Sequence, residues 1–465
     1  MLSTLAGFIF LIINSTLANR KIFKKSPFAI PICFFTMLFI NIPMLYLFIQ
    51  GDSYNFGIGV ANVPFSQKEY YDSLTYGFLF LTVCWFSIWL GSVVCNKKNS
   101  YKNFRPRSLN FITPLILIIF AIFISALHFF INQVNIDNFL SLNVVGKTKI
   151  GVIYSLHAFL VLSGIIIYLK INYDNKSTNN KTVIYTWVAA IIFLLFLSYQ
   201  YYTGGKGAIL QIGLMFFMIN IAMSSAIPKS KVVFLTRKFI TLLIIISPLL
   251  FLIISFKRIS IGSGLDFHFD NVFVHLEGVQ YMDVFHLIMW RLSANGLDRY
   301  ILLFNTFIID SYSYITAIDY AVYASKNAMN LMLPGTVYPE SYAPSGQLFS
   351  QVINKNVRGW FGGADHLLLL KSLNTSSYTA FGDSMILVGL FAPLFLFIVT
   401  SIWRFIYSRI NNPIIHGAMI FLFTNALGSF GIDGVIGDSF NLLLSSFAIY
   451  FSMSLLGFIF YSKKI

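Results

Sequence analysis

Long apolar stretches alternate with short polar ones along nearly the whole chain. The first, LSTLAGFIFLIINSTLA, is closed by RKIFKK, and the alternation then repeats to the end. Crossing a bilayer core takes roughly 20 apolar residues of helix. In hydrocarbon every backbone amide needs a partner inside its own segment, so each such stretch is predicted as a helix. Spans are predicted over about 2–19, 28–50, 72–95, 109–132, 151–170, 182–200, 207–227, 239–256, 385–403, 413–430 and 441–461. The expected fold class is an all-α integral membrane protein with about 11 transmembrane helices. No heptad pattern, internal repeat or low-complexity segment points to a coiled coil or a solenoid.

The polar connections alternate in charge. RKIFKK (20–25), NKKNSYKNFRPR (96–107), KINYDNKSTNNK (170–181), PKSKVVFLTRK (228–238), Arg404 with Arg409, and YSKKI fall on one side. They carry 20 of the 32 basic residues and a single acid, Asp174. Basic residues are enriched in cytoplasmic loops, so this side is expected to be cytoplasmic, with Met1 outside and Ile465 inside. The outer connections are short except one, 257–384. The chain therefore divides into an N-terminal membrane bundle (1–256, about eight helices), a large outer loop with helical pieces (257–384), and about three C-terminal membrane helices (385–465). Within the loop, RYILLFNTFII is apolar enough to dip into the membrane.

Composition agrees with the pattern. Of 465 residues, 57% are hydrophobic and 11% charged, with a mean hydropathy of +0.75. A soluble domain is nearer a quarter charged. The net charge of +15 would suggest nucleic acid in a soluble protein, but here the positive-inside pattern accounts for it. Cys33, Cys84 and Cys95 lie in apolar runs or at their edges, without zinc or redox spacing. The first stretch has no basic residues before it and is expected to be a retained helix rather than a cleaved signal.

Candidate chemistry sits at the outer edge. In YYTGGKGAIL, Lys206 lies among Gly204, Gly205 and Gly207 where a helix begins. Glycines let backbone amides approach a ligand, and a helix start carries positive potential. This suits an anion; the alternative is a lysine snorkelling to the interface. The segment is not a P-loop, because Gln200 stands where the first glycine belongs, and in GKT at 146–148 the corresponding residue is Ser141. Lys257 and Arg258 lie outside a span on the side poor in basic residues. Arg291 and Arg299 follow in MWRLSANGLDRY. Guanidinium groups bind phosphate oxygens bidentately. The competing reading pairs these arginines with Asp283, Asp298 or Asp310. Asp383, in SSYTAFGDSMILVGLFAPLF, is either a base for a sugar hydroxyl or a partner for an arginine. His366, in ADHLLLLKSLNTSS, is a second candidate base, with a packing or surface role as its alternative. His268, Asp270 and His275 are the nearest approach to a metal set and form no recognisable pattern.

Three of these features together resemble the Wzy-type O-antigen polymerases. They are the glycine-flanked lysine GGKGAIL, the long outer loop with MLPGTVYPE, and the pattern Gly382-Asp383 through Gly389 running into LFAPLFLFIV. In that family the acid after the glycine is often Glu; here it is Asp383. The resemblance implies a GT-C-like membrane glycosyltransferase of the bacterial inner membrane, acting at its periplasmic face. It implies inverting transfer with no metal and no cofactor. The substrates would be undecaprenyl-diphosphate-linked oligosaccharide repeat units, and a polysaccharide chain-length regulator would be a partner. It gives Lys206, Lys257, Arg258, Arg291 and Arg299 a diphosphate to hold, and Gly204, Gly205 and Gly207 backbone phosphate contacts. Asp383 or His366 would take the proton. An O-antigen ligase, which would depend on His366, and a lipid-linked oligosaccharide flippase or other transporter are the competing readings. A transporter is expected to show paired half-repeats and mid-membrane charge, and neither is evident in the sequence.

Overall fold

The computed structural model describes residues 2–58, 61–62, 66–94, 296–309, 379–410 and 413–428, with single positions between 286 and 325. These residues are helical apart from one short ladder. Four segments are long and apolar enough to cross a membrane: Leu2–Asn19, Ala29–Ser53, Gln67–Val93 and Thr379–Arg409. The described part is that of a helical, multi-pass membrane protein. The predicted spans from 109 to 256 and from 441 to 461 lie outside the described residues.

Helix α1 (Leu2–Asn19) coincides with the first predicted span. A short α2 (Lys21–Lys24) follows in the basic segment. The second span is not one regular helix. It consists of α3 (Ala29–Thr36), a π turn (Met37–Asn41) and α4 (Ile42–Gln50). Pro43 has no N–H to give the carbonyl one turn back, which is where a helix opens or kinks. After a 3₁₀ turn at Gly51–Ser53 comes a small hairpin of β1 (Gly57–Ile58) and β2 (Ala61–Asn62), with Gly57 opposite Asn62.

Helix α5 (Gln67–Val93) begins five residues before the predicted start at 72. A capping box sets this start. The Ser66 hydroxyl accepts from the Glu69 amide at 3.3 Å, and the Glu69 carboxylate accepts from the Ser66 amide at 3.0 Å. Two otherwise orphaned donors are satisfied reciprocally. Lys68, Glu69 and Asp72 lower the hydropathy of this turn without preventing the helix.

Further on come α6 (Leu297–Phe304) with a π turn at Asn305–Ile309, then α7 (Thr379–Val388), a 3₁₀ turn (Gly389–Phe391), α8 (Ala392–Arg409) and α9 (Pro413–Gly428). Together α7 and α8 form one broken span that extends past the predicted 385–403 at both ends. The boundary drawn at 384 falls inside α7. Gly389 makes the break: its φ of +54° is a left-handed value that costs glycine little. Pro393 then sits in the first turn of α8, where its missing N–H costs nothing.

Helix α5 is the centre of the bundle, and Tyr70, Leu74, Phe78, Leu81, Cys84, Trp85, Ile88 and Trp89 are all buried. On one side lies α1, with Phe10 and Phe78 ring centroids 6.0 Å apart and the Trp89 indole donating to Asn14 at 3.4 Å. On another lies α8, where Gly91 meets it so closely that a Cβ would sit 2.8 Å from Thr400 Cβ and 2.9 Å from the Phe397 carbonyl. In lipid, apolar burial does little to drive association, so close backbone contact at small residues decides which helices pair. Large apolar side chains on the outer faces, such as Leu5, Ile12, Phe48, Ile398 and Ile402, are left exposed, as a hydrocarbon solvent allows.

Helix α6 runs in the same direction as α5. Asp298 meets Tyr70, Ile301 packs at Gly77, and Phe304 lies 5.5 Å from Phe80. The apolar stretch RYILLFNTFII therefore lies lengthwise on a candidate membrane helix.

Candidate functional site

The first turn of α6 and the first turn of α7 meet in a buried polar site. Tyr300 and Thr379 share a hydrogen bond between hydroxyls at 3.0 Å across 79 residues of sequence. Thr379 is buried and has a φ of +42°, a region that β-branched residues rarely enter. Arg299 is 8% exposed and Asp383 is completely buried. Both act electrostatically on the same phenol. Burial pushes the Tyr300 hydroxyl up from its ordinary pKa, the Thr379 hydrogen bond and the Arg299 charge pull it down, and the Asp383 charge pushes it up again. Phe381, two residues after Thr379, packs on Trp85 at 4.6 Å and Tyr300 at 5.7 Å, which closes the site against α5.

Of the candidate residues read from the sequence, the described residues include Arg299 and Asp383, both buried and on two helices joined by the Tyr300–Thr379 hydrogen bond. Lys206, Gly204, Gly205, Gly207, Lys257, Arg258, Arg291 and His366 lie outside the described residues, as do His268, Asp270, His275, Asp283, Asp310 and the MLPGTVYPE stretch. Among the described residues, no group of three His, Cys, Asp or Glu side chains converges as metal ligands would.

Beside Arg299, Asp298 behaves differently from the sequence expectation that it pairs with an arginine. Its carboxylate is 1% exposed and accepts three hydrogen bonds. Tyr70 donates to Oδ1 at 2.5 Å, Tyr54 to Oδ2 at 2.8 Å, and the Gly57 amide to Oδ2 at 3.0 Å. Burial pushes the carboxyl up to about 6, against the downward pull of the hydrogen bonds from Tyr70, Gly57 and Tyr54. Burial also pushes the Tyr54 hydroxyl far above the usual phenol range, and the Asp298 charge adds to it. Phe56 stacks on Tyr70 with centroids 3.7 Å apart and completes the enclosure. The sequence signal was faint: Tyr54 and Tyr70 stand in or beside a short polar connection, one on each side of the hairpin.

The same surface is stapled twice more. Gln50 donates to His286 Nδ1 at 2.8 Å, and Tyr46 donates to the His286 carbonyl at 3.3 Å. The Trp290 indole donates to the Asn55 carbonyl at 2.7 Å. Segments before α6 thus lie against the turn that follows α4.

A second polar cluster occupies the opposite end of the bundle. Arg404 and His416 are buried, the Tyr407 and His416 rings stack at 3.9 Å, and His416 Nε2 lies 2.8 Å from the Tyr407 carbonyl. Arg404 was expected in a polar connection; it is instead a buried residue of α8. Between α1, the π turn, α4 and α5 lies a cavity of about 550 Å³, lined by apolar side chains including Leu11, Met37, Leu45 and Phe78, with Asp52 and Tyr71 also at its wall.

The chain matches no protein-family model, no curated protein and no solved structure.

Proposed function

We propose that the chain is a membrane glycosyltransferase that polymerises undecaprenyl-diphosphate-linked oligosaccharide repeat units, as its resemblance to the Wzy-type polymerases implies. The observation that supports the reading beyond that resemblance is that Arg299 and Asp383 are both buried, on two helices tied together by the Tyr300–Thr379 hydrogen bond. Transfer of a glycan from a diphosphate carrier needs two things in one place. The leaving diphosphate gathers negative charge, which a preorganised cation stabilises. The attacking hydroxyl must lose its proton, which a carboxylate can take.

In this reading the acceptor sugar's hydroxyl oxygen attacks the anomeric carbon of the growing glycan. The bond from that carbon to the diphosphate oxygen breaks, and undecaprenyl diphosphate leaves with the electron pair. Asp383 accepts the hydroxyl proton. Arg299 stabilises the departing charge, together with Lys206, Lys257, Arg258 and Arg291. Inversion at the anomeric carbon follows from a single displacement. The finer architecture, with about 11 helices in a GT-C-like arrangement facing the periplasm of a bacterial inner membrane, belongs to the same proposal. The apolar cavity beside α1 offers a polyprenyl tail a lining of suitable chemistry.

The test is genetic and direct. The gene is deleted in its own host, the surface lipopolysaccharide is separated on a gel, and the strain is complemented. The expected deletion phenotype is a core carrying one repeat unit and no ladder, with the ladder restored by the wild-type chain. A core with no repeat unit would point instead to a ligase or a flippase. An intact ladder in the deletion strain overturns the reading.

A further inference from the structure

Asp298 is a costly residue to keep. Its carboxylate is buried and takes three donors, none of them a cation. Those donors come from two pieces of chain. Tyr54 precedes the hairpin, Gly57 opens it, and Tyr70 stands in the first turn of α5. The two carboxylate oxygens at the start of α6 hold all three at once. Of the residues that follow directly, Tyr300 shares a hydrogen bond with Thr379 at the start of α7, the helix that carries Asp383. Helix α6 has only eight residues, so its axis is set by what grips its first turn and by its packing on α5. The grip at Asp298 therefore determines how Arg299 and Tyr300 are presented.

We propose that Asp298 is a positioning residue: by gathering the Tyr54 and Tyr70 hydroxyls and the Gly57 amide, it locks the first turn of α6 onto the hairpin and α5 and so aligns Tyr300 with Thr379 on the helix that carries Asp383. The proposal rests on the polymerase reading for its activity consequence and on geometry alone for the lock. The lock works through shape and hydrogen bonding. An asparagine can reproduce most of it, accepting from Tyr54 and Gly57 through its oxygen and donating to the Tyr70 oxygen through its amide. An alanine cannot, and Tyr54→Phe with Tyr70→Phe removes two of the three donors while leaving the rings to pack.

The experiment compares Asp298→Ala, Asp298→Asn and the Tyr54→Phe/Tyr70→Phe double variant in the full-length chain. Two readouts are taken at matched membrane protein levels. One is the lipopolysaccharide ladder of the complemented deletion strain. The other is hydrogen–deuterium exchange of the purified chain in lipid nanodiscs. Asp298→Ala and the double tyrosine variant are expected to lose at least tenfold of ladder intensity, and Asp298→Asn to retain at least a third. Exchange should rise at least tenfold at 54–58 and 297–301 in the first two variants and stay near wild type in the third, with α1 and α8 unchanged in all. Unchanged exchange at 54–58 and 297–301 in the alanine and double tyrosine variants overturns the lock. A full ladder in Asp298→Ala, or an asparagine variant as inactive as alanine, overturns the positioning role. If the wild-type chain restores no ladder, the polymerase reading fails by itself, and exchange alone still decides whether the lock exists.

Discussion

At the scale of single residues, Asp383 and Asp298 are both buried carboxylates, and Asp298 is held by neutral donors. Removing a general base typically costs 10²–10⁴ in rate. Asp383→Asn is therefore expected to reduce the ladder by roughly a hundredfold or more at an unchanged protein level, and an undiminished ladder would remove Asp383 from the chemistry. Asp298 makes a different prediction. Burial pushes its carboxyl up to about 6, above the ordinary aspartate value of about 4. The folded state therefore favours the protonated form. That contribution is fully present below about pH 4 and is lost as pH rises through about 6. The full effect is on the order of 3 kcal/mol for a shift of about two units. Thermal unfolding of the purified wild type should weaken from pH 4 to 7 relative to Asp298→Asn. Parallel curves for the two proteins would mean that the carboxyl is not perturbed by the fold.

At the scale of elements, the bundle depends on small residues and on breaks placed between apolar runs. Gly91 brings α5 and α8 into backbone contact, with no room for a branched side chain against Thr400 and Phe397. Gly91→Leu is expected to separate these helices and to lower the yield of folded protein severalfold, checked by size-exclusion profile after detergent extraction. Gly389 is less demanding. A Cβ there would meet the Phe307 carbonyl at an ordinary 3.5 Å, so only its φ of +54° resists substitution. Gly389→Ala should cost on the order of 1 kcal/mol, seen as a small drop in melting temperature with the fold intact. The sequence made several of these elements legible. Helix α1 follows directly from its apolar run, and the start of α5 was written in Ser66-Gln67-Lys68-Glu69, a capping box that hydropathy alone passes over. The π turn at Met37–Asn41 and the early start of α7 were harder to see. Pro43 signals a disturbance without saying which kind, and Asp383 looks like a loop residue until its buried surroundings are known.

At the scale of the whole molecule, the charge pattern carries a topology that can be checked directly. The bundle has one end at Ser53, Ser66 and Asp298 and the other at Ser26, Ser92 and Ser408, the second held by the bond from the Ser26 hydroxyl to the Ser92 carbonyl at 3.0 Å. The positive-inside rule predicts that the first end faces outward. In a chain freed of Cys33, Cys84 and Cys95, a cysteine placed at exposed Ser53 should react with a membrane-impermeant maleimide in spheroplasts. One placed at exposed Lys24 should react only after permeabilisation. The reverse pattern would invert the proposed periplasmic site.

The sequence by itself determined that this chain is helical and membrane-embedded, and located its first three spans to within a few residues. Hydrocarbon leaves a backbone no other way to satisfy its amides, and a run of apolar side chains reports that solvent residue by residue. It also singled out Arg299 and Asp383, because charge beside apolar helices is scarce enough to notice. Only the tertiary structure decided what those charges meet. Asp298 went to two tyrosines and an amide rather than to an arginine, Arg404 went into the bundle interior, and Arg299 and Asp383 were buried on two helices joined at Tyr300 and Thr379. A hydropathy pattern records what each residue costs in lipid by itself. For Asp298 the partners that offset that cost lie more than 200 residues away in sequence, and they become neighbours only when the helices close.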